Sequence, residues 1–168
     1  MLKMEDEMTT KNVARCGMMT ALAMIFGYVE ALIPFDLGIP GVKLGLPNII
    51  IVLALYTLPA SWALVIQVMR IVLVSFLFGN LSMMLYSLAG GLLSLLVMVL
   101  LKKTDWFSIT GVSIAGGVSH NVGQLAAAVL VVQNLKIAFY LPALLTAGLV
   151  TGGLIGMLVH KIKPLIRW

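Results

Sequence analysis

Long stretches without a charged side chain alternate along this chain with short clusters of charge. Residues 71–101 contain no Asp, Glu, Lys or Arg, and only 10% of all residues are charged, against roughly 25% in a typical soluble domain. So few charges cannot solvate a globule of 168 residues. Because about 20 apolar residues cross a bilayer as one helix, the pattern predicts an all-α, polytopic membrane protein. We expect residues 1–168 to form a single integral membrane domain.

Six apolar segments are visible between the charge clusters. They predict helices over residues 13–33, 47–58, 60–78, 81–101, 108–132 and 141–159. Residues 1–12 form a charged N-terminal segment, and prolines and glycines make residues 34–46 an irregular loop. The second segment is shorter than the roughly 20 residues of a full span. We therefore expect it to tilt, to extend into its flanks or to be partly sheltered by protein.

The basic residues are distributed unevenly among the predicted loops. Lys and Arg precede the first segment, follow the sixth, and occupy the fourth loop as Lys102 and Lys103, whereas the opposite loops contain only Lys43 and Lys136. The positive-inside rule then places both termini in the cytoplasm and residues 34–46 outside. This distribution accounts for the net charge of +5 without a nucleic-acid partner. We expect a multi-pass protein of the cytoplasmic membrane.

Several classes of enzyme are disfavoured by the residue inventory. The sequence has no Walker A glycine loop, no zinc-binding constellation and no pair of Asp-rich motifs for a magnesium diphosphate. Beyond the acidic start, its carboxylates are Glu30, Asp36 and Asp105. Cys16 is the only cysteine, which excludes an internal disulfide. We expect no catalytic residues, no metal and no cofactor.

Small residues recur along the first predicted helix. Gly17 and Ala21 are four residues apart, and Ala23, Gly27 and Ala31 follow a second ridge. Helices in lipid associate through small residues, because burying one apolar side chain against another gains little there. The pattern fits either packing within this chain or docking of another membrane protein through Ala21, Ala23 and Gly27.

The fifth segment combines glycines with hydrogen-bonding side chains. His120, Asn121 and Gln124 share one side of the helix with the glycines of residues 116–123, while Val and Leu occupy the other. Polar groups at membrane depth usually face a bundle interior or a cavity. They could form hydrogen bonds between helices. We favour a ligand-lining face, because the glycines leave space beside three polar side chains.

Three charged residues extend this hypothesis. Arg70 lies near the middle of the third segment, where a lone cation is costly and therefore suggests function. It could pair structurally with Glu30 or bind an anionic ligand group. Lys43 precedes a helix start marked by Pro47, where free backbone N–H groups favour anions, although a solvated loop lysine is the alternative. The candidate substrate-binding residues are thus Arg70, His120, Asn121, Gln124, Lys43 and Glu30.

Two stretches together resemble a known family. Residues 40–48 read Pro-Gly-Val-Lys-Leu-Gly-Leu-Pro-Asn, and residues 117–124 read Gly-Val-Ser-His-Asn-Val-Gly-Gln. They are similar to the Gx transporter family, also labelled heptaprenyl diphosphate synthase component I, and the resemblance extends over residues 10–161. That family in turn resembles the S components of energy-coupling factor transporters.

The resemblance implies a fold and a function. S components have six helices, cytoplasmic termini, a substrate site in the outer half, and spaced alanines that dock the first helix on a transmembrane coupling protein. The chain would then be a substrate-binding subunit for uptake of a small organic molecule, energised by partner ATPases. The alternative implied by the second label is a membrane component of isoprenoid or quinone biosynthesis. Prenyl elongation itself needs acidic clusters that this sequence lacks.

The predicted topology can be tested with reporter fusions. A reporter active only in the cytoplasm should be active when inserted after Lys103 and inactive when inserted after Lys136, because the positive-inside rule places these loops on opposite sides. Reporter activity normalised to protein level is the measurement. An external location of the Lys103 insertion would contradict the six-segment topology.

Overall fold

The computed structural model describes residues 2–32 and 45–166, and the side chains within these ranges except those of residues 2–9 and 31. The described residues form six α-helices and two short 3₁₀ helices, and no strand occurs among them. The α-helices are α1 (Leu2–Leu32), α2 (Leu46–Thr57), α3 (Ala60–Phe78), α4 (Leu81–Thr104), α5 (Ile109–Val132) and α6 (Leu141–Ile162). The 3₁₀ helices are Leu135–Tyr140 and Lys163–Leu165. This confirms the predicted all-α fold and its six helices.

Most helix ends follow signals in the sequence. Asn80 accepts a hydrogen bond from the backbone N–H of Met83 at the start of α4, and Ser108 does the same for Gly111 at the start of α5. The start of the first helix differs from the predicted start at residue 13, because α1 already begins at Leu2. Residues 2–12 contain no Gly or Pro that would end a helix before the apolar segment.

Within the described residues, five helical stretches are long and apolar enough to cross a membrane. They are Thr10–Glu30, Ala60–Phe78, Leu81–Thr104, Ile109–Val132 and Leu135–Leu165. The chain is therefore a multi-pass membrane protein whose surface contacts the lipid bilayer. The remaining helix, α2, has 12 residues and measures about 18 Å at 1.5 Å per residue, whereas a hydrocarbon core is about 30 Å thick.

Protein shelters α2 on all sides. Every residue from Ile49 to Leu55 is buried, and α2 packs against α1, α3 and α6. The surrounding core includes Met19 and Ala23 of α1, Ala63 and Ile66 of α3, and Ile155 and Val159 of α6. Shelter by protein, one of the three possibilities raised by its short length, is therefore observed. A helix that is apolar all round is expected in such a position.

Basic residues of α4 and of the 3₁₀ helix after α6 meet the end of α2 at one end of the bundle. Lys102, in the last turn of α4, donates a hydrogen bond to the Leu55 carbonyl near the end of α2. The Lys163 ammonium, just after α6, lies 5.3 Å from the centre of the Tyr56 ring. We call this the basic end and the opposite end the distal end. The compartment that each end faces remains a prediction from the charge pattern.

Glycines bring α5 into close contact with α4 on one flank. A Cβ atom added to Gly123 would lie 2.9 Å from the carbonyl oxygen of Ala89, which leaves room only for hydrogen. Nearer the basic end, the Ser94 hydroxyl donates to the carbonyl oxygen of Gly116 over 2.8 Å. Small residues thus permit the backbone approach that stabilises helix pairs in lipid.

The contact of α5 with α6 on its other flank follows the same principle. A Cβ on Gly156 would lie 2.5 Å from the Cα of Thr110, and one on Gly152 would lie 2.8 Å from the Cα of Ile114. The Ser113 hydroxyl donates to the carbonyl oxygen of Gly152 over 2.8 Å. The glycines of α6 therefore pack within this chain.

Replacement of Gly156 by alanine tests this packing. Alanine is favoured over glycine inside a helix by about 1 kcal/mol, yet overpacking of a filled site costs about 1–3 kcal/mol. We expect Gly156→Ala to lower the thermal unfolding temperature in detergent. Gly17→Ala is the matched control, because a Cβ there meets no atom within 4 Å, and it should not lower the unfolding temperature. Equal stabilisation by both substitutions would contradict the packing described here.

Candidate functional site

Arg70 lies about midway along α3 and is held by two amide side chains. Its Nε donates to Gln67 Oε1 over 2.9 Å, and its Nη2 donates to Asn48 Oδ1 over 3.2 Å. Gln67 is 1% exposed and lies one turn earlier on the same helix face. Asn48 lies in the first turn of α2. The guanidinium therefore joins α3 to the start of the sheltered helix.

Glu30 contacts the start of α2 from the other side. Its carboxylate accepts a hydrogen bond from the backbone N–H of Gly45. Gly45 has φ 75°, the left-handed conformation that favours glycine, and precedes the first residue of α2. A carboxylate at this position satisfies a free N–H and complements the positive end of the helix dipole.

The structural pairing of Arg70 with Glu30 was one of the two alternatives raised by the sequence, and the described hydrogen bonds of these residues go to other partners. Among the described residues, the hydrogen bonds of Arg70 go to Gln67 and Asn48, whereas Glu30 binds Gly45. The two charges still interact through space. Both side chains thus hold the start of α2, Arg70 at Asn48 in the first turn and Glu30 at Gly45 just before it.

The polar side of α5 is divided between two neighbouring helices. Asn121 Nδ2 donates to the backbone carbonyl of Leu144 in α6 over 2.7 Å, so its amide forms an interhelical hydrogen bond. His120 and Gln124 lie against α4 instead. The carbonyl oxygen of His120 and the Cγ of Gln124 would each lie 2.6 Å from a Cβ added to Gly90.

Two consecutive glycines of α4 separate the polar side chains of α3 and α5. Gly90 leaves space for Gln124 of α5, and Gly91 leaves space for the amide of Gln67 of α3. A Cβ on either glycine would overlap the glutamine beside it. The polar cluster of Arg70, Gln67 and Asn48 and the polar side of α5 therefore meet the same turn of α4 from different directions.

A cavity of about 550 Å³ lies at the distal end, between α4, α5, α6 and the 3₁₀ helix that precedes α6. Its polar lining residues are Asn80, Ser82, Tyr86, Ser87, Gln124 and Tyr140. Its apolar lining residues are Met83, Leu125, Ala128, Val132, Ile137 and Leu144. A volume of this size accommodates a small organic molecule.

Of the candidate residues, Gln124 is the one that lines this cavity. Arg70 and Glu30 lie at the start of α2, and Asn121 contacts α6. Lys43, with most of the predicted loop, lies outside the described residues. In the part of the chain that the structure describes, no three His, Cys, Asp or Glu side chains come together as a metal site requires.

Four residues that contact Arg70, Gln67 or Gln124 were not predicted from the sequence. Gln67 is three positions before Arg70, a spacing that places two side chains on one helix face, so the sequence contained a usable signal. Asn48 was visible as the first polar side chain after Pro47. The roles of Gly90 and Gly91 depend on which helices adjoin α4, and one sequence does not contain that information.

The predicted docking residues of α1 are distributed over two faces. Ala23 is fully buried in the core, and Gly27 lies against Pro47 and Val74, since a Cβ there would be 3.5 and 3.7 Å from their side chains. These two positions therefore pack within the chain, and the Ala23 side chain is not accessible to a partner. Ala21 is exposed.

Comparison with known proteins identifies the family. Residues 19–162 match the family model described as heptaprenyl diphosphate synthase component I. Searches of curated proteins and of solved structures returned no match. The matched range extends from α1 to the end of α6 and includes Arg70, Gln124 and the cavity-lining residues. The chain therefore belongs to the heptaprenyl diphosphate synthase component I family.

Proposed function

We propose that this membrane protein is the substrate-binding subunit of an uptake system and holds a small organic molecule in the cavity at its distal end. The observation that carries the proposal is the cavity itself. Its volume of about 550 Å³ lies within the range of roughly 300–1,000 Å³ that is common for ligand sites. Two tyrosines and Gln124 supply hydrogen-bonding groups within a largely apolar lining.

The lining indicates the chemistry of the ligand. None of the described lining side chains carries a formal charge. The amide of Gln124 and the hydroxyls of Tyr86 and Tyr140 can bind carbonyl or hydroxyl groups. Side chains such as Met83 and Val132 suit an apolar remainder. The proposed ligand is therefore a mainly apolar molecule with a neutral polar group near Gln124.

Uptake requires an energy source outside this chain, because the sequence has no nucleotide-binding motif. We therefore propose a transmembrane coupling protein with ATPase subunits as partners. The exposed part of the small-residue pattern on α1, Gly17 and Ala21, is the surface proposed for docking. Small residues there permit the close approach of a second helix.

The description of the family supports a second candidate function, a membrane component of isoprenoid or quinone biosynthesis. In that case the same cavity would hold part of an isoprenoid chain against its apolar lining. We propose binding and not catalysis in either case, because the sequence lacks the acidic clusters that hold a metal-bound diphosphate.

Filling the cavity tests both candidates. Ala128 lines the cavity, so Ala128→Phe should occupy ligand volume and weaken binding by more than about tenfold. Ala126→Phe is the matched control, because Ala126 is exposed two residues earlier on the same helix. The measurement is ligand-dependent thermal stabilisation of purified protein with vitamins, flavins and prenyl phosphates. Stabilisation by prenyl phosphates alone would favour the second candidate. Equal stabilisation of Ala128→Phe and of the unmodified protein by the same ligand would contradict binding in the cavity.

Arg70 and Gln124 should respond differently to truncation. Arg70→Ala leaves the oxygens of Gln67 and Asn48 without their donor, so we expect a loss of about 1–3 kcal/mol of stability. Gln124→Ala removes a cavity-lining amide and should chiefly weaken ligand binding. Melting temperature and ligand affinity are measured for both variants. Unchanged ligand affinity in a folded Gln124→Ala protein would contradict the proposed polar contact.

A further inference from the structure

Two lysines from separate parts of the chain converge on one tyrosine at the basic end. The Nζ of Lys102, in the last turn of α4, lies 5.1 Å from the centre of the Tyr56 ring. The Nζ of Lys163, in the 3₁₀ helix after α6, lies 5.3 Å from the same centre. All three side chains are partly buried. The end of α2, the end of α4 and the 3₁₀ helix after α6 thus bring two ammonium groups to one aromatic ring, and we refer to the space around this ring as the cleft.

Contacts within the chain explain the position of Lys102 more fully than that of Lys163. Lys102 donates to the Leu55 carbonyl over 2.5 Å, which satisfies a backbone oxygen in the last turn of α2 and complements the negative end of that helix. The described contact of Lys163 is its position over the Tyr56 ring. Lys163 also repels Lys102, and this repulsion opposes their convergence.

Positive charge predominates among the described side chains around Tyr56. Asp105 attracts Lys102, but Lys103 and Lys161 add two exposed positive charges at the same end. Each ammonium has three N–H donors. The described side chains of the cleft therefore offer N–H donors and net positive charge to an anionic group beside Lys102 and Lys163.

The surroundings place the cleft at the depth of lipid headgroups. Trp106, just beyond the end of α4, is 89% exposed, and Phe107 beside it is also exposed. Leu165, in the same 3₁₀ helix as Lys163, is 80% exposed. Exposed aromatic side chains next to lysines mark the boundary between hydrocarbon and headgroups. An anion that reaches this cleft is therefore most readily one carried by a membrane lipid.

We propose that Lys102 and Lys163 bind the phosphate of an anionic membrane phospholipid over Tyr56. The phosphate oxygens accept hydrogen bonds from both ammonium groups and relieve their mutual repulsion, while the acyl chains lie along the exposed apolar surface of the bundle. The bound lipid joins the ends of α2, α4 and α6 from outside. This site lies at the opposite end of the bundle from the cavity proposed for the substrate, and the inference does not depend on that function.

The test compares lysines that differ in burial and not in charge. Full-length protein is delipidated in detergent, and its affinity for phosphatidylglycerol is measured by native mass spectrometry. Lys163→Gln should lower that affinity by about fivefold, which is the effect of losing one lysine contact near an anionic surface. Lys161→Gln, an exposed neighbour with the same change in charge, should change it by less than about twofold. Lys163→Arg retains the positive charge and should largely restore binding.

Three outcomes would overturn the proposal. Equal losses for Lys161→Gln and Lys163→Gln would show a diffuse surface effect and no defined site. Equal affinity for phosphatidylcholine would show that net negative charge is not recognised. Competition by millimolar inorganic phosphate, to the same extent as by phosphatidylglycerol, would identify a free anion as the ligand. Because Lys163 donates no described side-chain hydrogen bond, its replacement leaves the Lys102 contact with Leu55 in place, and unfolding temperatures verify that the variants are folded.

Discussion

The burial of α2 is the constraint on which the rest of this structure depends. The helix is apolar all round and too short to cross a bilayer, so it is stable at membrane depth only if protein surrounds it and satisfies its ends. Glu30 accepts from the N–H of Gly45 at one end, and Lys102 donates to the carbonyl of Leu55 at the other. Arg70 binds Asn48 in its first turn. Arg70 and Glu30, which the sequence suggested as ligand-site residues, therefore hold the start of this helix.

Glycines determine how α4, α5 and α6 pack together in the other half of the molecule. They let the backbones of α4, α5 and α6 approach closely, and the serine hydroxyls of α4 and α5 then reach carbonyl oxygens on the neighbouring helix. The tight contacts lie toward the middle and the basic end, while the same helices border the cavity at the distal end. Gly90 and Gly91 connect this half to Arg70 and its partners, because each leaves space for one glutamine side chain, Gln124 and Gln67 respectively.

Local patterns predicted more of the fold than of the site. The bounds of α3 agree with the apolar segment at residues 60–78, since Pro59 and Gly79 mark its ends. The polar side of α5 was recognised, but helical periodicity does not reveal that two neighbours share it. Asn121 thus bonds to α6, while Gln124 lies against α4. The alanine ridge of α1 was ambiguous for the same reason, and burial resolved Ala23 as part of the core.

The shelter of α2 has a consequence for biogenesis. Its main helical neighbours are α1, α3 and α6, and α6 is the last of these to be synthesised. Until α6 arrives, the face of α2 that later contacts Ile155 and Val159 is open to lipid or to the insertion machinery. A helix of this length cannot hold itself across the bilayer in the meantime, so its retention depends on α1 and α3 inserting beside it. Truncated chains that end before residue 141 therefore lack one wall of their own core.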